Sequence, residues 1–123
     1  MELKRGELYT RQQIAEIVGG GSVQENMPDK DSRVLCLCLS SDFNPAAPKA
    51  LVGRGPKVEA QAEMFCRQES AVPVFFKKRA NLWEYAGDYK CARWTSDLEE
   101  LAGFEETSGR LMLTRVIFLE EAA

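Results

Sequence analysis

The apolar residues of this 123-residue chain fall in short runs between glycine, proline and polar residues, which limits the fold to strands joined by short connections. Short apolar runs bounded by turn residues are typical of buried strands. We therefore predict strands at residues 33–40, 50–52, 72–77, 82–85, 89–94 and 110–119. The turn Ala86-Gly87-Asp88 predicts a hairpin whose arms are the strands at 82–85 and 89–94.

A first helix is predicted after Thr10. Thr10 and Gln13 have the spacing of a capping box, in which each side chain bonds the backbone N–H of the other. The apolar residues that follow fall at helical spacing on one face, and the glycines at 19–21 end the helix because glycine readily adopts the left-handed conformation. We expect a polar loop at residues 22–32.

A second helix is predicted at residues 57–68, with Pro56 in its first turn, where the missing N–H costs nothing. Its inward-facing residues are Val58, Ala62, Phe65 and Cys66. A short helix or turn is predicted at residues 96–101, with Ser96 as its N-cap. Strands that outnumber helices at short spacing predict an α+β fold: a small curved or barrel-like, mostly antiparallel sheet with two or three helices.

The composition is that of one globular unit. Hydrophobic residues make up 45% of the chain and charged residues 28%, so we expect a single domain over residues 1–123. No apolar run approaches the roughly 20 residues that a membrane helix needs, and the charged N-terminus lacks the apolar stretch of a signal peptide. We expect a cytoplasmic protein with no membrane partner.

The chain contains no histidine, which removes the commonest general base and a frequent zinc ligand. The four cysteines, at 36, 38, 66 and 91, lack the spacing of a disulfide framework or a zinc site. Cys36 and Cys38 would share one face of a strand, which favours burial. We predict free thiols, no metal, no cofactor and no catalytic residue.

The charges are unevenly distributed, although the net charge is −3. Residues 49–93 carry nine basic and five acidic side chains, whereas the segment from Asp97 onward carries two basic and seven acidic ones. A basic middle and an acidic tail are consistent with a local positive face. Ordinary solvated surface is the alternative interpretation.

Aromatic and basic residues alternate between positions 77 and 94. Trp83 and Tyr85 would share one face of a strand, and Tyr89 would lie on the returning arm of the hairpin. Aromatic faces beside cations are what base stacking and phosphate attraction require. We predict Trp83, Tyr85 and Tyr89 as stacking or cage residues and Lys77, Lys78 and Arg79 as phosphate contacts. Alternatively, the aromatic residues pack on the core face of the hairpin.

Two further polar residues are candidate ligand contacts. Arg54 lies between two glycines ahead of a helix, where the backbone can approach a ligand and a helix N-terminus attracts anions. Asn81 stands at the start of the strand at 82–85. Turn chemistry explains both without a ligand, and that alternative stays open.

The order of the motifs resembles a bacterial domain type. GELYTRQQIAEIVGGG, the NPAAP and GRGP turns, PVFFKKRANLWEYAGDYKC and a closing LTRVIFL are similar to the N-terminal modified-DNA-sensing domain of HNH-type restriction endonucleases, which is related to SRA and other PUA-like modules. The shared positions are Gly6, Tyr9, Arg11, Ile14, Gly19, Gly20, the turn from Gly53 to Gly55, Tyr85 and Gly87. The resemblance implies a PUA-like barrel that reads a DNA base without altering it.

The chain departs from that pattern in two respects. No HNH nuclease follows in this sequence, and GSVQEN replaces the glutamine-glycine run that often follows the opening glycines. A separately encoded nuclease is one candidate for a protein partner. Our main hypothesis is a non-catalytic reader of DNA, of a modified base in particular. The alternatives are a protein-interaction or defence accessory module and a small hydrolase that uses carboxylates.

Overall fold

The computed structural model describes residues 3–41 and 49–122. The predicted NPAAP turn at 44–48 lies outside the described residues. The elements in chain order are β1 (Leu8–Tyr9), α1 (Arg11–Val18), β2 (Asp29–Lys30), β3 (Arg33–Val34), β4 (Leu37–Leu39), β5 (Lys49–Val52), α2 (Pro56–Gln68), β6 (Val72–Arg79), β7 (Leu82–Thr95), α3 (Leu98–Ser108) and β8 (Arg115–Glu121).

Six of the strands form one sheet in the order β4-β6-β7-β8-β5, and β1 pairs with the beginning of β7. The pairing of β4 with β6 is parallel and all other pairings within this sheet are antiparallel. The sheet curls into a half-barrel that is accompanied by the three helices. The predicted α+β class and PUA-like architecture are therefore confirmed. Strands β2 and β3 form a separate ribbon.

The predicted start and end of α1 are confirmed. The Thr10 hydroxyl accepts a hydrogen bond from Gln13 N, and Thr10 N donates to Gln13 Oε1 at 2.8 Å. Gly19 ends the helix with φ 92°, a conformation that glycine adopts without a steric penalty. Ile14 is 1% exposed and packs with Phe75 of β6 in a small apolar cluster.

Helix α2 covers the main core, as predicted for residues 57–68. Ala62 and Phe65 are buried against the curled sheet. Gln68 at the end of α2 holds β3 in place: its Oε1 accepts from Val34 N at 2.8 Å and its Nε2 donates to Val34 O at 3.0 Å. The predicted strand at 33–40 is divided into β3 and β4, which have different partners: β3 pairs with β2, and β4 pairs with β6.

The predicted hairpin turn at Ala86-Gly87-Asp88 is wrong. The chain continues through these residues as one strand, β7, and reverses direction instead at Ala80 and Asn81, next to the paired residues Arg79 and Leu82. Asn81 has φ 51°, which asparagine tolerates better than most residues. Ala86 is an extra residue between the pairs Phe75–Tyr85 and Val74–Gly87, so the glycine accommodates a β-bulge and not a turn.

The bulge changes which face the aromatic side chains of β7 occupy. Side chains alternate along a strand, and one extra residue reverses that alternation. Trp83 and Tyr85 pack with Phe75 beside α1, whereas Tyr89 packs against the main core beneath α2. The prediction that Tyr89 lies across a turn from Trp83 and Tyr85 is therefore wrong.

The last two predicted elements differ at their boundaries. The N-cap of α3 is Asp97, whose Oδ2 accepts from Glu100 N at 3.1 Å, and the helix continues to Ser108, well beyond the predicted end at residue 101. The predicted strand at 110–119 begins only at residue 115, because Met112 has φ 60° and interrupts the extended conformation. The two-residue strands β1 and β2 were not predicted.

The cysteines are free thiols, and the predicted burial of Cys36 and Cys38 is confirmed. The hydrogen bond with Cys38, together with burial, raises the pKa of Cys36, so this thiol stays protonated. Within residues 3–41 and 49–122, no three cysteine, aspartate or glutamate side chains lie close enough together to hold a metal ion. None of the described helices is long and apolar enough to span a membrane.

The bulge generates a prediction for glycine substitutions. Gly87 has φ 120°, which is unfavourable for a residue with a Cβ, so Gly87→Ala should destabilise the protein by about 1–3 kcal/mol. Gly103 is the matched control, because it lies inside α3 and a Cβ added there would meet no atom within 4 Å. Gly103→Ala should stabilise by about 0.5–1 kcal/mol. Urea denaturation measures both, and an unchanged Gly87→Ala variant would contradict the bulge.

Candidate nucleic-acid interface

A cavity of about 330 Å³ opens between the start of α1, the loop after α1, the end of β4 and the β6–β7 hairpin. Ligand pockets in proteins are usually roughly 300–1,000 Å³, so this cavity has the size for a small planar group. Its described lining residues are Arg11, Val23, Gln24, Asn26, Ser40, Lys77, Asn81 and Trp83. Three predicted site residues, Lys77, Asn81 and Trp83, thus meet at one cavity.

Asn81 joins the hairpin to the first helix. Its Oδ1 accepts a hydrogen bond from Arg11 N at 3.0 Å, and its Nδ2 donates to Gln12 Oε1 at 3.4 Å. The N–H groups of a first helical turn have no partner within the helix, so the asparagine satisfies one of them. The structure therefore gives Asn81 an architectural contact at the cavity rim.

The Arg11 side chain forms hydrogen bonds with the backbone of the loop that follows α1, beside the cavity. Its Nη2 donates to Ser22 O at 3.1 Å and to Glu25 O at 2.7 Å. The guanidinium carbon lies 5.1 Å from the centre of the Trp83 ring, and Lys77 Nζ lies 5.9 Å from the same centre. Cations at these distances are attracted by the negative face of an indole. Trp83 is thus part of the cavity wall between two cations.

Two buried nitrogens of this wall have no hydrogen-bond partner within the described residues: Arg11 Nε and Trp83 Nε1. Arg11 is 8% exposed and Trp83 is 7% exposed, so both groups are largely shielded from water. Buried polar groups are almost always hydrogen-bonded, and an unpaired one costs about 1–3 kcal/mol. Because neither nitrogen is accessible to water in this structure, a ligand or a water molecule would satisfy these two donors only after a shift of Arg11 or Trp83.

A strip of basic side chains continues from the cavity along the end of β6. Lys77, Lys78 and Arg79 are exposed and, with Ser40 and Ser41, line a second cavity of about 200 Å³. Lys77 and Ser40 belong to both cavities. Lys78 Nζ pairs with Glu84 Oε1 at 3.0 Å, whereas Arg79 makes no ion pair within the described parts of the chain. No described lining residue of either cavity is acidic, so the local charge is positive.

The two predicted tyrosines do not line the cavity. Tyr85 packs against Phe75, with ring centres 5.6 Å apart, and its hydroxyl donates to Asp88 Oδ1 at 2.6 Å. Burial and this hydrogen bond raise the pKa of Tyr85 to about 12, because both favour the neutral phenol. Tyr89 is half-buried on the other face of β7. The structure therefore does not bring Trp83, Tyr85 and Tyr89 together as one exposed cage.

Arg54 also lies outside the cavity, in the turn between β5 and α2. It is exposed and has no hydrogen-bond or ion-pair partner among the described residues. The turn is connected to the cavity loop through the next basic residue, because Lys57 Nζ pairs with Glu25 Oε2 at 2.6 Å. Arg54 is thus an available cation near a helix N-terminus, separate from the cavity lining.

Sequence reasoning missed Arg11, Gln24, Asn26 and Ser40 as lining residues. In the sequence, Arg11 stands out only as one of the positions shared with the domain type that the chain resembles. The capping pattern of Thr10 places Arg11 in the first helical turn. Nothing local in the sequence indicates that this arginine lies over Trp83, because the two are brought together by the pairing of β1 with β7 and by the contact with Asn81. The loop residues carry no motif.

Comparison with known proteins gives a family and a fold. The family model described as "Domain of unknown function (DUF6697)" matches residues 8–108. The chain is similar in structure to a chain in the crystal structure of KRYPTONITE in complex with mCHG DNA and SAH, with a TM-score of 0.66 and 9% sequence identity. The likeness covers 98% of this chain and spans 32% of that chain. No curated protein matches the sequence.

The contact between Asn81 and Arg11 generates a prediction. Asn81→Ala removes the acceptor of Arg11 N and puts alanine at φ 51°, so the variant should lose about 1–3 kcal/mol of folding free energy. Asn81→Asp keeps both the acceptor and the tolerance for this conformation, and its loss should be much smaller. Chemical denaturation measures both. Equal stability of the alanine variant and the parent would contradict the role of Asn81 in joining the β6–β7 hairpin to α1.

Proposed function

The chain belongs to the DUF6697 family, and we propose that it is a non-catalytic reader of DNA that accepts one base into the cavity beside Trp83. The observation that carries the proposal is the position of the basic strip. Lys77 lines the cavity, while Lys78 and Arg79 line the smaller cavity that adjoins it. A duplex whose phosphates meet the strip would therefore present a base to the opening beside Lys77.

The proposed division of roles follows the placement of the side chains. Lys77 contacts both the cavity and the strip, while Lys78 and Arg79 attract backbone phosphates. Trp83 supplies a wall of the base site and one N–H donor, and Asn81 holds the rim. Arg54 is proposed as an additional phosphate contact. Tyr85 and Tyr89 have no direct contact with DNA in this proposal.

The fold supports a DNA ligand. The structurally similar chain was crystallised with mCHG DNA, and its shared fold covers nearly the whole of the present chain. The cavity adds a positive lining with unpaired donors. The net charge of −3 does not oppose this, because much of the negative charge lies in the segment from residue 97 onward, including Glu99 and Glu100 in the first turn of α3.

We propose that the protein binds the DNA base without catalysing a reaction on it. The described lining residues of the cavity offer amides, one hydroxyl, two cations and an indole, but no carboxylate, thiol or imidazole that could act as a general base. Such groups bind and orient a ligand. We accordingly propose no metal or cofactor, and a cytoplasmic site of action where DNA is present.

A protein partner is the second candidate. Large apolar side chains are exposed around α3: Leu98 is 82% exposed, Leu111 76% and Met112 55%. Exposed apolar side chains that lie close together often mark a protein–protein interface. This surface is compatible with DNA reading, since a separately encoded nuclease could be recruited there. It is also what a pure interaction or defence accessory module would use.

The DNA proposal predicts selective effects of charge removal. Arg79→Gln should weaken binding to a short duplex and reduce the slope of log affinity against log salt by about 1, since one phosphate contact is lost. Lys77→Gln should weaken binding at least as much, because Lys77 also faces the cavity. Lys90→Gln is the matched control: Lys90 is an exposed lysine of β7 that pairs with Glu120 at 4.0 Å.

Fluorescence anisotropy with a labelled duplex at two salt concentrations measures these effects. The parent and Lys90→Gln should bind alike. If all three variants bind DNA as the parent does, the basic strip is not the interface. If the parent does not bind any duplex at low salt, the DNA proposal fails and the protein partner becomes the leading candidate.

A further inference from the structure

The buried charge of Arg11 carries an inference about the ligand. Arg11 is 8% exposed, yet it makes no ion pair within residues 3–41 and 49–122. Its Nη2 is used by two backbone carbonyls, which are neutral. A buried cation is costly unless an anion is close to it, so buried charges are usually paired. Among the described residues, therefore, none supplies the site with a balancing negative charge.

The carboxylates of two residues near Arg11 and Trp83 form ion pairs with lysines and do not pair with Arg11. Glu25, whose carbonyl accepts from Arg11, directs its carboxylate to Lys57 at 2.6 Å. Glu84, next to Trp83, pairs with Lys78 at 3.0 Å. Neither lines the cavity. The positive charges of Arg11 and Lys77 therefore face a cavity whose described lining contains no acidic residue.

The two buried side-chain groups that lack a partner in the described part of the cavity wall are both donors. Arg11 Nε and Trp83 Nε1 are buried N–H groups without an acceptor among the described residues, and both residues line the cavity. An arginine presents its N–H groups in a fixed planar fork that matches a carboxylate. Both N–H groups lie beneath the cavity surface, so a ligand reaches them only after Arg11 and Trp83 shift. A negatively charged ligand group rich in acceptors would neutralise the buried cation and, after that shift, satisfy both donors.

We propose that the cavity takes a base that carries an anionic substituent, of which a 5-carboxyl pyrimidine is the simplest example. This rests on the proposed function, since it names the class of base that the reader accepts. A neutral base such as 5-methylcytosine would leave the Arg11 charge unbalanced. A backbone phosphate would bind at the exposed strip, to Lys78 and Arg79. The cavity of about 330 Å³, which the Trp83 indole lines, has the size and the flat wall for a planar ring.

The test compares duplexes that differ in one base. The labelled duplex contains cytosine, 5-methylcytosine or 5-carboxylcytosine at a single position, and anisotropy measures the affinity of the parent protein. Because hydrogen bonds to charged groups are stronger than those between neutral groups, the carboxylated duplex should bind about tenfold to a hundredfold more tightly than the other two. Equal affinities, or a preference for the methylated or the plain duplex, would overturn the inference while leaving DNA reading intact.

Two variants assign the preference to the cavity. Trp83→Phe keeps an aromatic wall and removes the Nε1 donor, and Arg11→Lys keeps the charge and removes the planar fork. Each should reduce the preference for the carboxylated duplex more than the affinity for the plain one. Arg67→Gln removes an exposed arginine of α2 that pairs with Glu63 and should change neither. An unchanged preference in both cavity variants would place the recognition elsewhere.

A third arm separates this inference from the DNA proposal. Calorimetry with free 5-carboxyl-2′-deoxycytidine and, separately, with inorganic phosphate tests the cavity without a duplex. Binding of the nucleoside that Trp83→Phe weakens, together with no binding of any duplex, would support the anionic base and overturn DNA reading. Binding of phosphate as tight as that of the nucleoside would overturn the anionic base, and so would binding of neither the nucleoside nor the carboxylated duplex.

Discussion

The contacts of Arg11 hold together the parts of the structure on which the candidate site depends. Its backbone N–H donates to Asn81 at the hairpin tip, its Nη2 donates to the loop carbonyls of Ser22 and Glu25, and its guanidinium lies over Trp83. One residue thus joins α1, the loop and the β6–β7 hairpin around a cavity. The same residue places a buried positive charge there. Architecture and ligand chemistry therefore depend on a single residue, whose buried cation contributes to a positive cavity in a protein of net charge −3.

Much of the fold could be predicted from the sequence, since α1, α2 and β6 are specified by local signals. A capping box and a left-handed glycine define α1, and Pro56 begins α2. The turn at residues 86–88 was mispredicted because a glycine between polar or small residues serves a turn and a bulge equally well. The outcome was decided by strand pairing: β6 pairs with Gly87, Asp88 and Tyr89, which keeps the chain extended past the bulge, and β8 pairs with the second half of β7. The spacing of residues in the sequence does not indicate which strands pair.

The candidate site was predictable to the extent that it lies on one continuous segment. Lys77, Lys78, Arg79, Asn81 and Trp83 are within seven positions of one another, and the structure places them around two adjoining cavities. Tyr85 and Tyr89 looked equivalent to Trp83 in the sequence, but the core packing of Tyr85 and the bulge at Ala86 exclude them from the cavity lining. Arg11, Gln24 and Asn26 come from distant segments, so only the fold could reveal them.

The central claim is that a DNA base enters the cavity beside Trp83, and the two tryptophans of this chain provide the most direct test. Trp83 is buried in the cavity wall, whereas Trp94 is 47% exposed on the other half of β7 beneath Arg115. Their indole N–H resonances are two separate signals in a nitrogen-15 correlation spectrum, which a Trp83→Phe variant assigns. On titration with DNA we expect the Trp83 signal to shift strongly and the Trp94 signal to stay in place. A shift of the Trp94 signal with an unmoved Trp83 signal would contradict the claim.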